Sequence, residues 1–147
     1  MESEQRAAID RVAREWIGTP FHDCSCIKGI GTDCAHLIKG VFCEAGILPD
    51  FVIDAYSPQH FLHSDREEFL EYVTRYAHEI ERERSQTGDI VLYKIGRAFA
   101  HGAIIVAPGW PHIVHAHYHS RMVRKALGTS VHLGTPILGM RFFSFWP

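Results

Sequence analysis

The sequence predicts an α+β fold in which helices come first and an antiparallel sheet follows. In the first half of the chain, apolar residues recur every three or four positions, which is the period of an amphipathic helix. After residue 86 the pattern changes to short runs of β-branched and aromatic residues, separated by glycine and proline, which is typical of strands joined by turns. Helices followed by a run of strands favour helices packed on one antiparallel sheet.

The first helix is predicted over residues 3–17, where Ile9 and Val12 belong to one apolar face and Gly18 ends the helix. Residues 18–32 place Gly, Pro, Asp and Ser at turn positions and show no clear period. We therefore expect a loop there.

A second helix is predicted over residues 33–45, with Gly46 at its end. Residues 58–82 indicate one or two further helices, with Ser64 or Asp65 as the N-cap. The predicted strands are residues 87–96, 101–109, 112–119 and 139–146, and residues 121–127 are a further candidate.

Length and composition predict one globular domain spanning residues 1–147. Apolar residues make up 46% of the chain and charged residues 22%, and the formal net charge is −2. This balance gives no reason to expect a nucleic-acid or membrane-surface partner. The charged N-terminus lacks the apolar core of a signal peptide, so we expect a protein that is cytoplasmic as made.

The four cysteines all lie between residues 24 and 43, and we interpret them as thiols. Cys34 follows Asp33, a good N-cap residue, so it is expected in the first turn of the second helix. A helix N-terminus favours a thiolate, which is the nucleophilic form of cysteine. The alternative is a buried structural cysteine that happens to begin a helix.

Two histidines on neighbouring predicted strands supply what a nucleophilic cysteine needs. A thiolate nucleophile works with a histidine that takes and returns the proton, and that histidine needs an orienting partner. His101 begins one strand and His115 lies on the next, and a turn near Pro108 and Gly109 would bring them together. His117, two residues further on the same strand face, is the alternative orienting residue.

The segments "AREWIGTPF", "GTDCAHLIKGVFCEAG", "TGDIVLYKIGRAFAHGAIIV" and "IVHA", in this order, resemble the NlpC-like family of papain-fold cell-wall cysteine peptidases. That family has a Gly-Thr-Pro-Tyr segment, an Asp-Cys-Ser-Gly-Leu helix start, a Gly-Asp-Leu-Val strand, a His-Val-Gly-Ile strand and an Ile-His-Ala strand. The resemblance covers residues 7–125. The stretch around the cysteine is most similar to single-domain members encoded beside bacteriophage tail genes.

The resemblance implies a papain-like, NlpC-type fold and a catalytic set at the matching positions. Cys34 would be the nucleophile, His101 the general base and acid, and His115 the residue that orients His101. The implied reaction is hydrolysis of amide bonds in peptidoglycan stem peptides through a thioester, with no cofactor. The implied partners are the peptide substrate and a phage tail or other assembly that delivers the protein to the cell wall.

The chain departs from the family pattern beside the expected nucleophile. Ala35 and His36 replace the family's Ser-Gly, and His36 is expected to narrow or reshape a substrate subsite. Phe21 replaces the family's tyrosine and lacks its hydroxyl, for which His22 is a candidate substitute donor. Together with Asp33 and His117, these residues form the expected surroundings of the site.

Three other interpretations stay open. Cys24, Cys26, Cys34 and His36 could form a zinc site, although C-x-C is not the usual ligand spacing. An amidase or acyltransferase of the same fold could act on a substrate outside the cell wall. A non-catalytic structural component, such as a phage tail protein, could retain the fold without the activity.

Overall fold

Helices pack against a six-stranded antiparallel sheet in the computed structural model of the protein, which describes residues 1–53 and 68–147. The helices are α1 (Glu2–Glu15), α2 (Cys34–Glu44) and α3 (Glu68–Tyr76), and a 3₁₀ turn spans Arg82–Arg84. The strands are β1 (Cys26–Ile27), β2 (Gly31–Thr32), β3 (His78–Ile80), β4 (Ile90–Ile95), β5 (Ala98–Ile105), β6 (His112–His117), β7 (Met122–Leu127) and β8 (Ile137–Ser144). In the large sheet the order is β3-β8-β4-β5-β6-β7, and β1 pairs only with β2 among the described strands. The predicted α+β class is confirmed.

Three predicted boundaries are wrong. The strand predicted over residues 101–109 is Ala98–Ile105, so His101 lies within β5 and not at its start. Residues 18–32 are not loop throughout, because β1 and β2 form a short hairpin inside them. Each of these strands has two residues, too few for any period to appear in the sequence. The helical prediction over residues 58–82 also runs too far, since α3 ends at Tyr76 and β3 follows it to pair with β8. The predicted helix start at Ser64 or Asp65 lies outside the described residues.

The sheet separates two clusters of buried apolar side chains. On the helix side the cluster includes Ile9, Val12, Leu37, Val41, Phe42, Val73, Ile90, Leu92, Ile104 and Phe143. On the opposite side the cluster includes Val91, Tyr93, Ala103, Ile105, Ile113 and Phe142. Successive residues of β4 and β5 alternate between the clusters, as the two-residue period of a strand requires. The central strands are therefore buried on both faces.

A buried ion pair fixes α1 on the start of β4. Arg6 Nη1 donates to Asp89 Oδ1 over 2.9 Å, and both residues are buried. The other oxygen of Asp89 accepts a hydrogen bond from the backbone N–H of Gln86, 2.8 Å away, and this closes the turn before β4. The Arg6 guanidinium also lies over the Trp146 ring, 4.2 Å from its centroid. Asp89 thus links the N-terminal helix to the sheet as well as closing a turn.

The outer edge of β7 is occupied by the segment that follows α1. The N–H of Gly18 donates to the carbonyl of Val123 over 2.8 Å, and the N–H of Val123 donates to the carbonyl of Thr19 over 2.8 Å. The N–H of Phe21 donates to the carbonyl of Arg121 over 2.9 Å. These bonds bring residues 18–21 alongside the sheet before the chain turns toward α2. Within residues 1–53 and 68–147, no helix combines the length and apolar character that a membrane span needs.

The helices approach the sheet most closely at Gly102 of β5. A Cβ at this position would lie 2.7 Å from Phe69 Cζ, and 3.0 Å from both Ile38 Cδ1 and Leu92 Cδ2. Real side chains do not tolerate contacts this short without moving. The absence of a side chain at residue 102 therefore sets how closely α2 and α3 lie against β5.

Replacing Gly102 with alanine is expected to lower the free energy of unfolding by about 1–3 kcal/mol, because the added methyl overfills the space between β5 and the helices. Gly139→Ala is the matched control, since a Cβ there would meet only Lys94 Cβ at 4.0 Å, an ordinary contact. Urea unfolding of both variants measures the difference. Equal stability of the two variants would show that the helices are not held at this distance by Gly102.

Candidate functional site

Cys34 is the first residue of α2, as predicted. Asp33 has extended backbone angles (φ −117°, ψ −175°), and its side chain accepts a hydrogen bond from the backbone N–H of His36 over 2.9 Å. Asp33 is therefore the N-cap of α2, and it fixes the residue at which the helix begins. The backbone N–H of Cys34 belongs to the first turn, where N–H groups have no acceptor within the helix.

The Cys34 thiol lies against the backbone of β5 at Ala100, the residue before His101 in the chain. Its Sγ is 3.6 Å from the carbonyl oxygen of Ala100, to which the thiol donates. Ala100 is skipped in the pairing of β5 with β4, where Tyr93 faces His101 and Lys94 faces Phe99. Such a bulge locally redirects a strand and its side chains. The sequence showed no sign of the bulge, which lies immediately before His101.

His101 and His115 form a buried hydrogen-bonded pair. The His101 Nε2 and His115 Nδ1 atoms are 2.8 Å apart, and the two residues are 7% and 1% exposed. The rings meet nearly at right angles, with an interplanar angle of 81°. The predicted turn near Gly109 is present, because its N–H donates to the Val106 carbonyl over 2.8 Å and the two strands continue antiparallel from it. The structure thus brings together the two histidines that the sequence predicted as partners.

His117, the alternative orienting residue, has both ring nitrogens engaged elsewhere. Its Nδ1 is 2.8 Å from Ser120 Oγ, and its Nε2 contacts the carbonyl of His132. The His115 ring lies between it and His101, with ring centroids 5.1 Å apart on either side. The described contacts therefore favour His115 as the partner of His101.

Burial dominates the electrostatics of the site. It raises the pKa of the Cys34 thiol to about 12, and the negative charge of Asp33 acts in the same direction. Burial lowers the pKa of His101 to about 3 and that of His115 to about 2, and the neighbouring His117 adds to both shifts. The resting site therefore holds a neutral thiol and two neutral imidazoles near pH 7. Burial thus acts against the helix N-terminus, which favours the thiolate.

Asp33 also binds the side chain of His36. The His36 Nδ1 and Asp33 Oδ1 atoms are 2.8 Å apart, and both residues are buried. The other carboxylate oxygen accepts a hydrogen bond from the backbone N–H of Cys24 over 2.7 Å. The sequence predicts that His36 shapes a substrate subsite, and its pair with Asp33 was not predicted. The spacing of three residues at a helix start was the available signal. Ala35, between the two, is buried.

The remaining predicted neighbours lie in the segment leading to α2. Phe21 packs edge-on against Tyr118, with ring centroids 5.4 Å apart. His22 is exposed, and its Nδ1 is 3.0 Å from Ser25 Oγ and 3.1 Å from the carbonyl oxygen of Asp23. The His22 ring is thus engaged within its own loop.

The other cysteines make separate contacts. The Cys26 thiol donates to the carbonyl of His36 over 3.1 Å, and the Cys43 thiol donates to the carbonyl of Pro49 over 3.4 Å. All four cysteines are described, and each is a thiol rather than half of a disulfide. In the part of the chain that the structure describes, no three His, Cys, Asp or Glu side chains are arranged to hold a metal ion.

Comparison with known proteins identifies the fold. No protein-family model and no curated protein matches the chain. Among solved structures, the NlpC/p60 domain of the peptidoglycan hydrolase SagA is 18% identical, with a TM-score of 0.59 over 84% of this chain and 90% of that domain. The peptidoglycan hydrolase RipB from Mycobacterium tuberculosis is 14% identical, with a TM-score of 0.61 over 97% of this chain and 65% of RipB. NlpC2 from Trichomonas vaginalis is 14% identical, with a TM-score of 0.63 over 96% of this chain and 48% of NlpC2. The fold is therefore the papain-like NlpC/p60 fold, as predicted.

The rate of Cys34 alkylation by iodoacetamide is expected to rise about tenfold per pH unit from pH 7 to pH 10 without reaching a plateau, because its pKa is raised to about 12. An unperturbed thiol titrates near pH 8.5 and levels off within this range. Mass spectrometry of the alkylated peptides measures the rate at each cysteine. A plateau between pH 6 and pH 8 that His101→Ala abolishes would instead show a thiolate paired with an imidazolium.

The free energy of unfolding is expected to fall as the pH drops from 7 to 4. Both buried histidines have lowered folded pKa values, to about 3 for His101 and about 2 for His115, so the unfolded chain binds more protons once the pH is below about 6.5. The stability is fully present above pH 6.5, and each histidine accounts for a loss on the order of 3 kcal/mol at pH 4.

Urea unfolding at pH 7, 5.5 and 4 measures this slope. The double variant His101→Gln, His115→Gln should show a much shallower slope, whereas His119→Gln, which changes an exposed histidine, should keep that of the original chain. A slope unchanged in the double variant would rule out the pair as its source.

Proposed function

We propose that the protein is a cysteine hydrolase that cleaves amide bonds in peptidoglycan stem peptides through Cys34, His101 and His115. One observation carries the proposal. A cysteine at a helix start lies against the strand that holds a buried histidine, and that histidine is 2.8 Å from a second buried histidine. An enzyme that catalyses acyl transfer needs a nucleophile, a base and a residue that orients the base, and this arrangement can supply all three.

The proposed role of His101 as the base requires one arrangement of protons across its hydrogen bond with His115. For His101 to accept the thiol proton at Nδ1, its own proton must be on Nε2, which then donates to His115 Nδ1. His115 then has its proton on Nε2. In this arrangement His115 holds the His101 ring in one orientation and one tautomer, which is the task of the third member of a catalytic triad.

The reaction starts from neutral groups. As Cys34 Sγ attacks the carbonyl carbon of the scissile amide, its proton passes to His101, which becomes an imidazolium. His101 then donates that proton to the amide nitrogen, the C–N bond breaks, and the free amine leaves a thioester on Cys34. Water, deprotonated by His101, attacks the thioester and releases the carboxylic acid and the Cys34 thiol.

Charge develops on the carbonyl oxygen during both attacks. The backbone N–H of Cys34, in the first turn of α2, is a fixed donor beside the reacting carbon. Because the Asp33 cap fixes the start of the helix, this donor is oriented before substrate binds.

The substrate class is supported by the named activities of the similar structures, since SagA and RipB are peptidoglycan hydrolases. The low identities leave the choice of scissile bond to experiment. A link to bacteriophage tails, and an assembly that brings the protein to the cell wall, stay predictions from the sequence.

Replacing Cys34 with alanine is expected to reduce hydrolysis of purified muropeptides by at least about 10³-fold, because the nucleophile is lost. His115→Ala should cost about 10²–10⁴-fold by removing the orienting partner of the base. Mass spectrometry of the released fragments and of the new amines measures the reaction. Cys43→Ala, on the same helix but bonded to Pro49, is the matched control and should keep full activity.

Three outcomes separate the proposed function from its alternatives. Release of fragments that Cys34→Ala abolishes supports the hydrolase. Transfer of the acyl group to an added amine, in place of hydrolysis, indicates an acyltransferase. Fragment release that is equal in the Cys34→Ala variant, or absent from the original chain, contradicts the proposal and favours a structural component.

A further inference from the structure

We propose that His36 is a positioning residue for Cys34 that acts through Asp33. Its imidazole holds the Asp33 carboxylate between α2 and the loop before it by donating a hydrogen bond to the carboxylate. The inference rests on the proposed function, because it assigns a role in setting the reactivity of the same nucleophile.

The hydrogen bonds of Asp33 exceed what a helix cap requires. A cap needs one bond from the carboxylate to a backbone N–H of the first turn, and the N–H of His36 supplies it over 2.9 Å. The His36 ring adds a second bond to the same oxygen over 2.8 Å. The N–H of Cys24 occupies the other oxygen over 2.7 Å. The carboxylate therefore joins the helix start to the preceding loop, with Cys34 next to it in the chain.

The backbone of the loop is adapted to this arrangement. Cys24 has a φ of 59°, a left-handed conformation that costs free energy for a residue other than glycine. Its N–H reaches the Asp33 carboxylate in this conformation. Asp33 therefore holds the loop as well as the helix, and any shift of the carboxylate would move both.

Burial explains why a ring is needed at residue 36. Asp33 is 1% exposed and His36 is 5% exposed, so the carboxylate has little access to water. A buried carboxylate is costly unless its oxygens are hydrogen-bonded and its charge is offset. The His36 ring meets both needs from one turn into the helix.

The charge of Asp33 reaches the thiol. Burial alone would raise the pKa of the Asp33 carboxyl, but the hydrogen bonds from His36 and Cys24, together with the charge of His36, outweigh it and leave that pKa below its usual value. Asp33 is thus ionised at neutral pH, and its charge is the largest contribution after burial to the raised pKa of Cys34. Without the His36 ring, the carboxylate next to Cys34 in the chain would lose one of its hydrogen bonds.

The test measures the alkylation rate of Cys34 by iodoacetamide at pH 9, where Asp33 is ionised with or without its partner. His36→Leu removes the donor but keeps an apolar side chain, and it should slow Cys34 about tenfold, equivalent to one pKa unit. His36→Asn places an amide nitrogen near the position of Nδ1, and it should keep the rate within about twofold. Cys43, measured in the same digest, is the internal reference.

The double variant Asp33→Asn, His36→Leu separates charge from packing. If His36 acts through the carboxylate, His36→Leu should have no further effect on Cys34 once Asp33 is neutral. The proposal would be overturned if His36→Leu slowed Cys34 alkylation equally in the original chain and in the Asp33→Asn variant. It would also be overturned if the rate changed no more at Cys34 than at Cys43. If His36→Leu does not fold, Asp33→Asn alone provides the test. An unchanged alkylation rate of Cys34 in that variant would show that the carboxylate does not affect the thiol and would overturn the proposal.

The two proposals fail separately in these experiments. If the Cys34 alkylation rates show coupling between residues 33 and 36 but no muropeptide is cleaved, the role of His36 stands and the proposed hydrolase activity is contradicted. If cleavage depends on Cys34 but the alkylation rates show no coupling between residues 33 and 36, only the proposed role of His36 is contradicted.

Discussion

The contact between the start of α2 and strand β5 is the constraint on which the whole site depends. Two local features set it. The Asp33 side chain fixes the residue at which the helix begins, and Gly102 leaves room for the side chains of Ile38 and Phe69 against the strand. With both in place, the Cys34 thiol meets the Ala100 carbonyl, one residue before His101. The geometry of the candidate site thus depends on a helix cap and a glycine.

His101 and His115 are buried, and this bears on how the proposed reaction would work. A carboxylate as third group would stabilise an imidazolium by direct charge attraction, whereas a neutral His115 would offer a hydrogen bond only. In the proposed reaction, the charge that forms on His101 would be balanced by the negative charge that develops on the substrate at the same moment. Such a site gains most from a bound substrate that excludes water, because charges formed close together in a low dielectric attract strongly.

Short sequence motifs predicted the parts of the site that depend on local structure, such as a helix cap and a turn. An Asp before a cysteine identified the cap of α2, and a Pro-Gly turn between two strands identified the hairpin that joins His101 to His115. The unpredicted parts depend on contacts across the fold. The β3 strand exists because β8 lies beside it, and the direction of the Cys34 pKa shift depends on burial that residues far along the chain provide. Helix position alone does not include this effect of burial.

The segment of residues 18–21 pairs with the beginning of β7 and leads into the loop before α2. An open strand edge is a template for pairing with strands of other molecules, which is a common route to aggregation. Residues 18–21 fill the hydrogen bonds of β7 at Arg121 and Val123, and the same segment leads into the loop that Asp33 holds. Backbone groups of Arg121 and Val123 that this segment engages are not open to a strand of another molecule.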